Sequence, residues 1–227
     1  MFVSAIVPAA GLGLRLNSHV PKPLVNLGRK PIFIRTLDVL SAHPVIKEII
    51  LVVSSGSLDL TRQHLKKSRT KKIKALVVGG CRRRDSVLNG LSKVSHKADF
   101  ILIHDAVRPF IDLGLISRVI EEAQESGAAV LGVPVKSTVK EVDRKMRVIR
   151  TLKRERLYEI QTPQVFKKDL IVEAYKRFPN AAAVDDAFLV EKLGREVSVV
   201  LGSYFNIKIT TQEDLVFARS ILQGDHF

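Results

Sequence analysis

Apolar residues along this chain come in short continuous runs rather than in strict alternation. The runs Phe2–Val7, Glu48–Ser54, Ile73–Val78, Phe100–His104, Ala128–Val133 and Val197–Leu201 are rich in Val and Ile. A strand that is apolar at successive positions is one covered on both faces. Between these runs lie stretches with helical spacing, roughly Ile32–Ala42, Ser86–Val94, Leu113–Glu125, Lys168–Lys176, Asp185–Leu193 and Gln212–Leu222. The alternation predicts an α/β fold of three layers, with helices on both faces of a mostly parallel, twisted sheet. One region breaks the rhythm. Residues 135–156 are charged and β-branched with little helical periodicity, and they read as a protruding β-arm, suited to dimer contact or to covering a site. With no internal repeat and no low-complexity linker, residues 1–227 are expected to form one domain.

Composition changes this picture in two ways. The single cysteine, Cys81, excludes an internal disulfide framework and any multi-cysteine metal site, and fits a reducing cytoplasm. No apolar run approaches the roughly 20 residues that span a bilayer, and the N-terminus carries no targeting pattern, so no membrane association is expected. The second feature is a formal net charge of +14, with Lys and Arg crowded into Lys66–Lys74, Arg82–Arg84 and Arg144–Arg156. This excess favours anionic partners such as nucleotides and sugar phosphates. Nucleic acid is the remaining class of anion, but no aromatic residues are interleaved among these cations to stack bases. Binding of nucleic acid is therefore not expected.

Chemistry enters with the segment Pro8-Ala-Ala-Gly-Leu-Gly-Leu-Arg-Leu16, closed by Pro21-Lys22-Pro23. It directly follows the first predicted strand. Ala9, Ala10, Gly11 and Gly13 leave backbone N–H groups accessible, so the loop can approach a phosphate closely. Arg15 and Lys22 add a planar fork and a point charge beside it. A dinucleotide fingerprint is excluded because Leu16 stands at its third small position, and a P-loop is excluded because Leu14 and Arg15 follow Gly13. Asp105 follows the run Phe100–His104, at the carboxyl end of a buried strand, where open α/β sheets bind ligands. It could orient a ribose hydroxyl or a Mg²⁺-bound water, or else begin a turn or cap a helix. Gly79-Gly80 ends another strand. Ser86 could hydrogen-bond a pyrimidine edge, Ser86 or Asp85 could cap a helix, and both readings can hold at once. His104 reads as a core histidine, and Arg108 either braces its loop through carbonyls or reaches substrate. Arg82 and Arg84 read as surface charge. Asn206–Thr210 is strand-like, with Lys208 on the face opposite Ile207 and Ile209.

Five ordered motifs then carry a resemblance that runs from residue 5 to about 222. They are Ala9–Arg15 with Pro21-Lys22; Gly79-Gly80 with Arg83 and Asp85-Ser86-Val87; His104–Pro109; Gln161-Thr-Pro-Gln164; and Asn206–Thr210. Together they resemble the cytidylyltransferase branch of the nucleotidylyltransferases, in particular the 2-C-methyl-D-erythritol 4-phosphate cytidylyltransferase family. The resemblance implies a Rossmann-like nucleotidyltransferase fold, a homodimer, Mg²⁺ or a similar divalent cation, and transfer of CMP from CTP to a polyol phosphate. It assigns Ala9, Ala10, Gly11, Gly13, Gly79, Gly80, Arg83, Ser86, Asp105 and Ala106 to the nucleotide. Arg15, Lys22, Arg154 and Lys208 become catalytic cations, with Arg154 reaching from the β-arm into the neighbouring subunit. Thr138, Asp185 and Arg108 fall on the polyol side; protein ligands of the metal are not assigned. Two departures stand out: Pro23 where this branch has Gln, and Val184-Asp-Asp-Ala-Phe188 where it carries two hydroxyl residues. Ribitol-5-phosphate cytidylyltransferases share several of the same motifs, but Val133-Pro-Val-Lys-Ser-Thr138 looks more like the methylerythritol enzyme.

Overall fold

The structure, a computed structural model, describes residues 1–11, 21–68 and 70–224. In chain order the elements are β1 (Val3–Ala9), β2 (Asn26–Leu27), β3 (Lys30–Pro31), α1 (Ile32–Ala42), β4 (Ile46–Val53), α2 (Leu58–Lys67), β5 (Ile73–Val78), α3 (Arg83–Leu91), β6 (Phe100–Ile103) and α4 (Leu113–Ser126). They continue with β7 (Ala128–Pro134), β8 (Lys140–Val142), β9 (Val148–Thr151), β10 (Tyr158–Lys167), α5 (Lys168–Arg177), α6 (Ala187–Lys192), β11 (Ser198–Leu201) and α7 (Gln212–Gln223).

Seven strands form the central sheet in the order β11-β7-β10-β6-β1-β4-β5. All neighbours are parallel except β10, which runs antiparallel to both β6 and β7. Successive residues of the inner strands feed opposite layers. Val3, Ala5 and Val7 of β1 pack with Ile49, Leu51 and the inner faces of α1 and α4. Ile6, with Ile50 and Val52, packs on the other side with Val87 of α3, Ile171 and Ala174 of α5, and Leu189 of α6. Burial on both faces is the physical reason these runs are continuous rather than alternating. A smaller cluster of Leu27, Ile32, Val107, Ile209, Leu215 and Ala218 seats α7.

Three elements depart from the sequence expectation. β10 was not anticipated, because Pro163 and the polar residues Gln161, Thr162 and Gln164 argue against a central strand. The register of β10 against β7 jumps between Ile160 and Gln164, so the proline lies in a bulge, where its missing N–H leaves no ladder bond unmade. α2 was also missed; its sequence is mostly polar, and its inner face consists of the buried Thr61 with the half-buried Leu58 and Leu65. Asn206–Thr210 is not a strand. It is an irregular segment that begins in a bend and is attached through the Ile209 N–H to the Val107 carbonyl at 3.0 Å, and it still leaves Ile209 buried and Lys208 exposed.

β8 and β9 pair as an antiparallel hairpin outside the central sheet. Every residue of both strands is exposed. Its turn is closed by Asp143, which accepts from the N–H groups of Lys145 and Arg147 at 2.8 and 2.9 Å. Among the described residues no helix is long and apolar enough to cross a membrane.

Candidate active site

Because β1, β5 and β6 run the same way, their carboxyl ends bring three distant loops to one edge of the sheet. Ala10 and Gly11 leave β1, Gly79 and Gly80 leave β5, and His104, Asp105 and Ala106 leave β6. Between them opens a cleft of about 190 Å³, whose lining includes Ala9, Ala10, Gly11, Lys22, Pro23, Gly80, Cys81, Arg82, Arg83, Ser86, Asp105 and Lys208. Residues 83, 105 and 208 were grouped in the sequence only through motif resemblance; the fold puts Arg83 and Lys208 in contact with Asp105. Arg15 and Gly13 lie outside the described residues.

Each side chain is held for a local reason. Lys22 opens a short 3-10 turn, Lys22–Leu24, in which Pro23 and Leu24 are buried. The turn is closed by the Leu24 N–H on the Pro21 carbonyl at 2.8 Å, which anchors Lys22 at the cleft. The glycine pair permits a close approach that no other residue allows. A Cβ on Gly79 would fall 2.6 Å from both Ala10 Cβ and Ser86 Oγ, and one on Gly80 would fall 2.4 Å from Asp85 Cβ. Ser86 accepts the Gly80 N–H at 3.2 Å, so it holds the glycine loop rather than capping α3. The capping role goes to Asp85, whose carboxylate accepts the Arg82 N–H at 3.2 Å.

Electrostatics centres on Asp105. Its Oδ1 accepts from Arg83 Nε at 3.2 Å and its Oδ2 from Lys208 Nζ at 2.7 Å, with Arg108 Nε 4.0 Å away. Burial opposes ionisation of this carboxyl, but Arg83, Lys208 and Arg108 outweigh it and hold the group well below the usual carboxylate range. Arg83 also donates through Nη1 to Asp186 Oδ2 at 2.7 Å. Burial alone would lower its affinity for the proton, yet Asp186 and Asp105 together raise it. Asp105 therefore acts as a fixed anion that organises cations, not as a proton carrier.

Behind Asp105 lies a network of neutral donors and acceptors. The Asp105 N–H donates to Thr162 Oγ1 at 3.0 Å, and Thr162 Oγ1 lies 3.1 Å from His104 Nδ1. With that oxygen accepting, its own proton goes to Nδ1, so His104 carries its proton on Nε2 and donates to the Arg108 carbonyl at 3.1 Å. Burial lowers His104 from the usual 6.5 to about 4. Both ring nitrogens are thus occupied inside the core. Arg108 Nη1 donates to the Asn206 carbonyl at 2.6 Å, and Asn206 Nδ2 donates to Gln161 Oε1 and the Thr162 carbonyl at 3.1 and 2.9 Å. This network joins the loop after β6 to the segment that carries Lys208.

Several sequence readings change. Arg84 is not surface charge: it is buried, and its guanidinium donates to the carbonyls of Tyr175, Phe178 and Pro179 at the end of α5. A cation there satisfies carbonyls that the helix itself leaves unpaired. Asp105 caps no helix; the next one, α4, is capped by Asp112. Asp185 precedes α6 and accepts the Phe188 N–H at 2.9 Å, while Gln164 Nε2 donates to its other oxygen at 2.8 Å. Arg154 lies beyond the hairpin, with Nη1 on the Lys136 carbonyl at 2.7 Å. It and the exposed Thr138 are not in the lining of the cleft. Sequence reasoning gave no role to Asp186, Tyr175, Gln164 or Thr162. The motif Gln161–Gln164 was the signal available, since polar residues in a buried strand need partners.

Cations drawn from residues 22, 83 and 208 around a glycine loop suit a substrate bearing several phosphates, and the fold that collects them at strand ends is that of a nucleotidyltransferase. Similarity narrows this class. Residues 3–224 match the family described as IspD, 2-C-methyl-D-erythritol 4-phosphate cytidylyltransferase. The chain is 45% identical over 223 residues to the protein of that name from Alkaliphilus metalliredigens, covering 97% of this chain and 92% of the relative. It is 44% identical over 224 residues to that from Desulforamulus reducens, covering 97% and 96%. Among solved structures, the 4-diphosphocytidyl-2C-methyl-D-erythritol synthase of Anaerococcus prevotii superposes with a TM-score of 0.87 at 37% identity, over 98% of this chain and 96% of that one. The Thermus thermophilus 2-C-methyl-D-erythritol 4-phosphate cytidylyltransferase gives 0.80 at 33% identity, over 99% and 100%. The chain belongs to the 2-C-methyl-D-erythritol 4-phosphate cytidylyltransferase family, and it is a cytidylyltransferase.

Proposed function

We propose that the protein transfers CMP from CTP to 2-C-methyl-D-erythritol 4-phosphate, giving 4-diphosphocytidyl-2-C-methyl-D-erythritol and pyrophosphate. The observation that carries this reading is the convergence of Lys22, Gly80, Arg83, Asp105 and Lys208 on one cleft. An oxygen of the acceptor phosphate attacks the α-phosphorus of CTP, and the bond from that phosphorus to the oxygen bridging to the β-phosphate breaks. The acceptor is a monoester with a second pKa of about 6, so at neutral pH it is already largely dianionic and needs no general base. That agrees with His104 having both nitrogens engaged in the core. What the chemistry requires is positive charge, first to bring two anions together and then to stabilise the charge developing on the leaving pyrophosphate.

On this reading Lys22, with Arg15, meets the triphosphate, the Gly79–Gly80 loop and Ser86 face the base, and Asp105 orients the ribose. Lys208 and Arg154 position the acceptor phosphate, with Arg108, Thr138 and Asp185 on the polyol side. The cleft presents one carboxylate, Asp105, and among the described residues no group of three acidic, His or Cys side chains converges to hold a metal. Mg²⁺ bound largely through substrate phosphates and water needs no more than that, so Asp105 is the residue that would meet it. Bound there, the ion would neutralise phosphate charge. A homodimer is supported by the hairpin, whose Val148 and Ile149, with Met146 in its turn, are 60, 59 and 79% exposed in the single chain. Apolar surface of that extent on a protruding element fits a partner copy.

Incubating the protein with CTP, Mg²⁺ and either methylerythritol phosphate or ribitol 5-phosphate, and measuring pyrophosphate, tests the assignment. Preference for methylerythritol phosphate is expected; preference for ribitol phosphate would overturn the acceptor, and no release with either would overturn the reaction.

A further inference from the structure

We propose that Asp186 is a positioning residue for nucleotide binding: clamped by Tyr175 and Gln164, it holds Arg83 at the cleft and so sets the affinity for CTP. This rests on the assignment of the cleft to the nucleotide and adds to it a residue beyond those assigned there. Asp186 directly precedes α6, a place where aspartate ordinarily caps the helix. It does not cap; that work falls to Asp185, which accepts the Phe188 N–H. The Asp186 carboxylate, 1% exposed, instead receives Tyr175 Oη at 2.5 Å on one oxygen and Arg83 Nη1 at 2.7 Å on the other. Its own N–H donates to Gln164 Oε1 at 3.2 Å, which fixes the backbone beneath it. An unbroken line of contacts therefore runs Tyr175, Asp186, Arg83, Asp105, Lys208, from the core under α5 to the cleft.

Burying an ion pair is a weak way to gain stability, because desolvation offsets the attraction, but it is an effective way to set one geometry. Here the geometry belongs to the first turn of α3. Arg84, next in sequence, ties the same turn to the end of α5 through three carbonyls. Two adjacent arginines thus tie the turn to the α5 and α6 region, and of the two only Arg83 lines the cleft. Without the Asp186 anchor, Arg83 keeps Asp105 alone and can swing with it, and the nucleotide must then bear the cost of ordering both.

Cys81 gives a readout that does not need turnover. It is the single cysteine, it is exposed and it lines the cleft, so bound CTP should shield it from alkylation. In Asp186→Asn the CTP concentration giving half-protection should rise about tenfold, as expected for losing a hydrogen bond to a charged partner. In Tyr175→Phe, which removes only the hydroxyl, it should rise about threefold. KM for CTP should follow, with kcat changed less. Ile171→Val, a buried change on the same helix, should lower Tm and leave half-protection where it was. If both site variants protect like the wild type and differ only in Tm, Asp186 is merely structural and the proposal is overturned; Tyr175→Phe alone decides this should Asp186→Asn not fold. Absence of CTP protection in the wild type would overturn the nucleotide assignment, and this inference with it.

Discussion

The buried His104 makes a quantitative prediction about pH. In the folded protein its proton affinity is lowered to about 4, against 6.5 for an exposed imidazole. Between these values the unfolded chain binds a proton that the native state refuses, so stability falls as pH falls through that window and is fully present only above it. Working the linkage from pH 7.5 down to pH 5 gives a loss of about 2 kcal/mol from this one group. For a chain of this size that corresponds to roughly 4–8 °C in Tm. His104→Gln supplies the control, since an amide can accept from Thr162 and donate to the Arg108 carbonyl without titrating. Urea unfolding of both proteins at half-unit steps of pH is the assay. The variant is expected to be less stable at pH 7.5 but to lose about 2 kcal/mol less on going to pH 5. Parallel curves would show that His104 titrates normally in the native state, and would refute the buried network behind Asp105.

Three further predictions concern the site and its frame. Lys22→Ala should lower kcat at least about a hundredfold with folding intact by circular dichroism, the typical effect of losing a contact made to developing charge; near-normal turnover would remove Lys22 from the catalytic group. Mixing inactive Arg154→Ala with inactive Lys22→Ala should restore part of the activity through hybrid dimers, and no recovery under conditions that exchange subunits would count against a site shared between copies. Arg84→Met, which leaves the carbonyls of Tyr175, Phe178 and Pro179 without their donor, should destabilise the fold by about 2–4 kcal/mol in chemical denaturation. A loss under about 1 kcal/mol would mean that other donors replace the guanidinium.

The layered sheet was legible because its cause is local. Ile49–Val53 and Phe100–Ile103 are apolar at every position because each run is covered on both faces, and that shows in any short window. Ala9, Ala10 and Gly11, which line the cleft, were legible for the same reason, since small residues in one stretch stand out along the chain. β10 was hidden because its middle is polar and carries Pro163, a composition that suits a bulge in a central strand only when β6 and β7 are there to flank it. The single letters of Arg82–Arg84 likewise gave no sign of their different fates. Arg84 is buried because α5 ends beside it, and Arg83 faces the cleft because Asp186, 103 residues away, holds it there. Elements, layers and the kind of ligand were therefore written along the chain, where neighbouring residues decide them. Which cation meets which carboxylate was decided only by the tertiary structure, because a charge takes its partner from whatever the fold brings within a few ångströms.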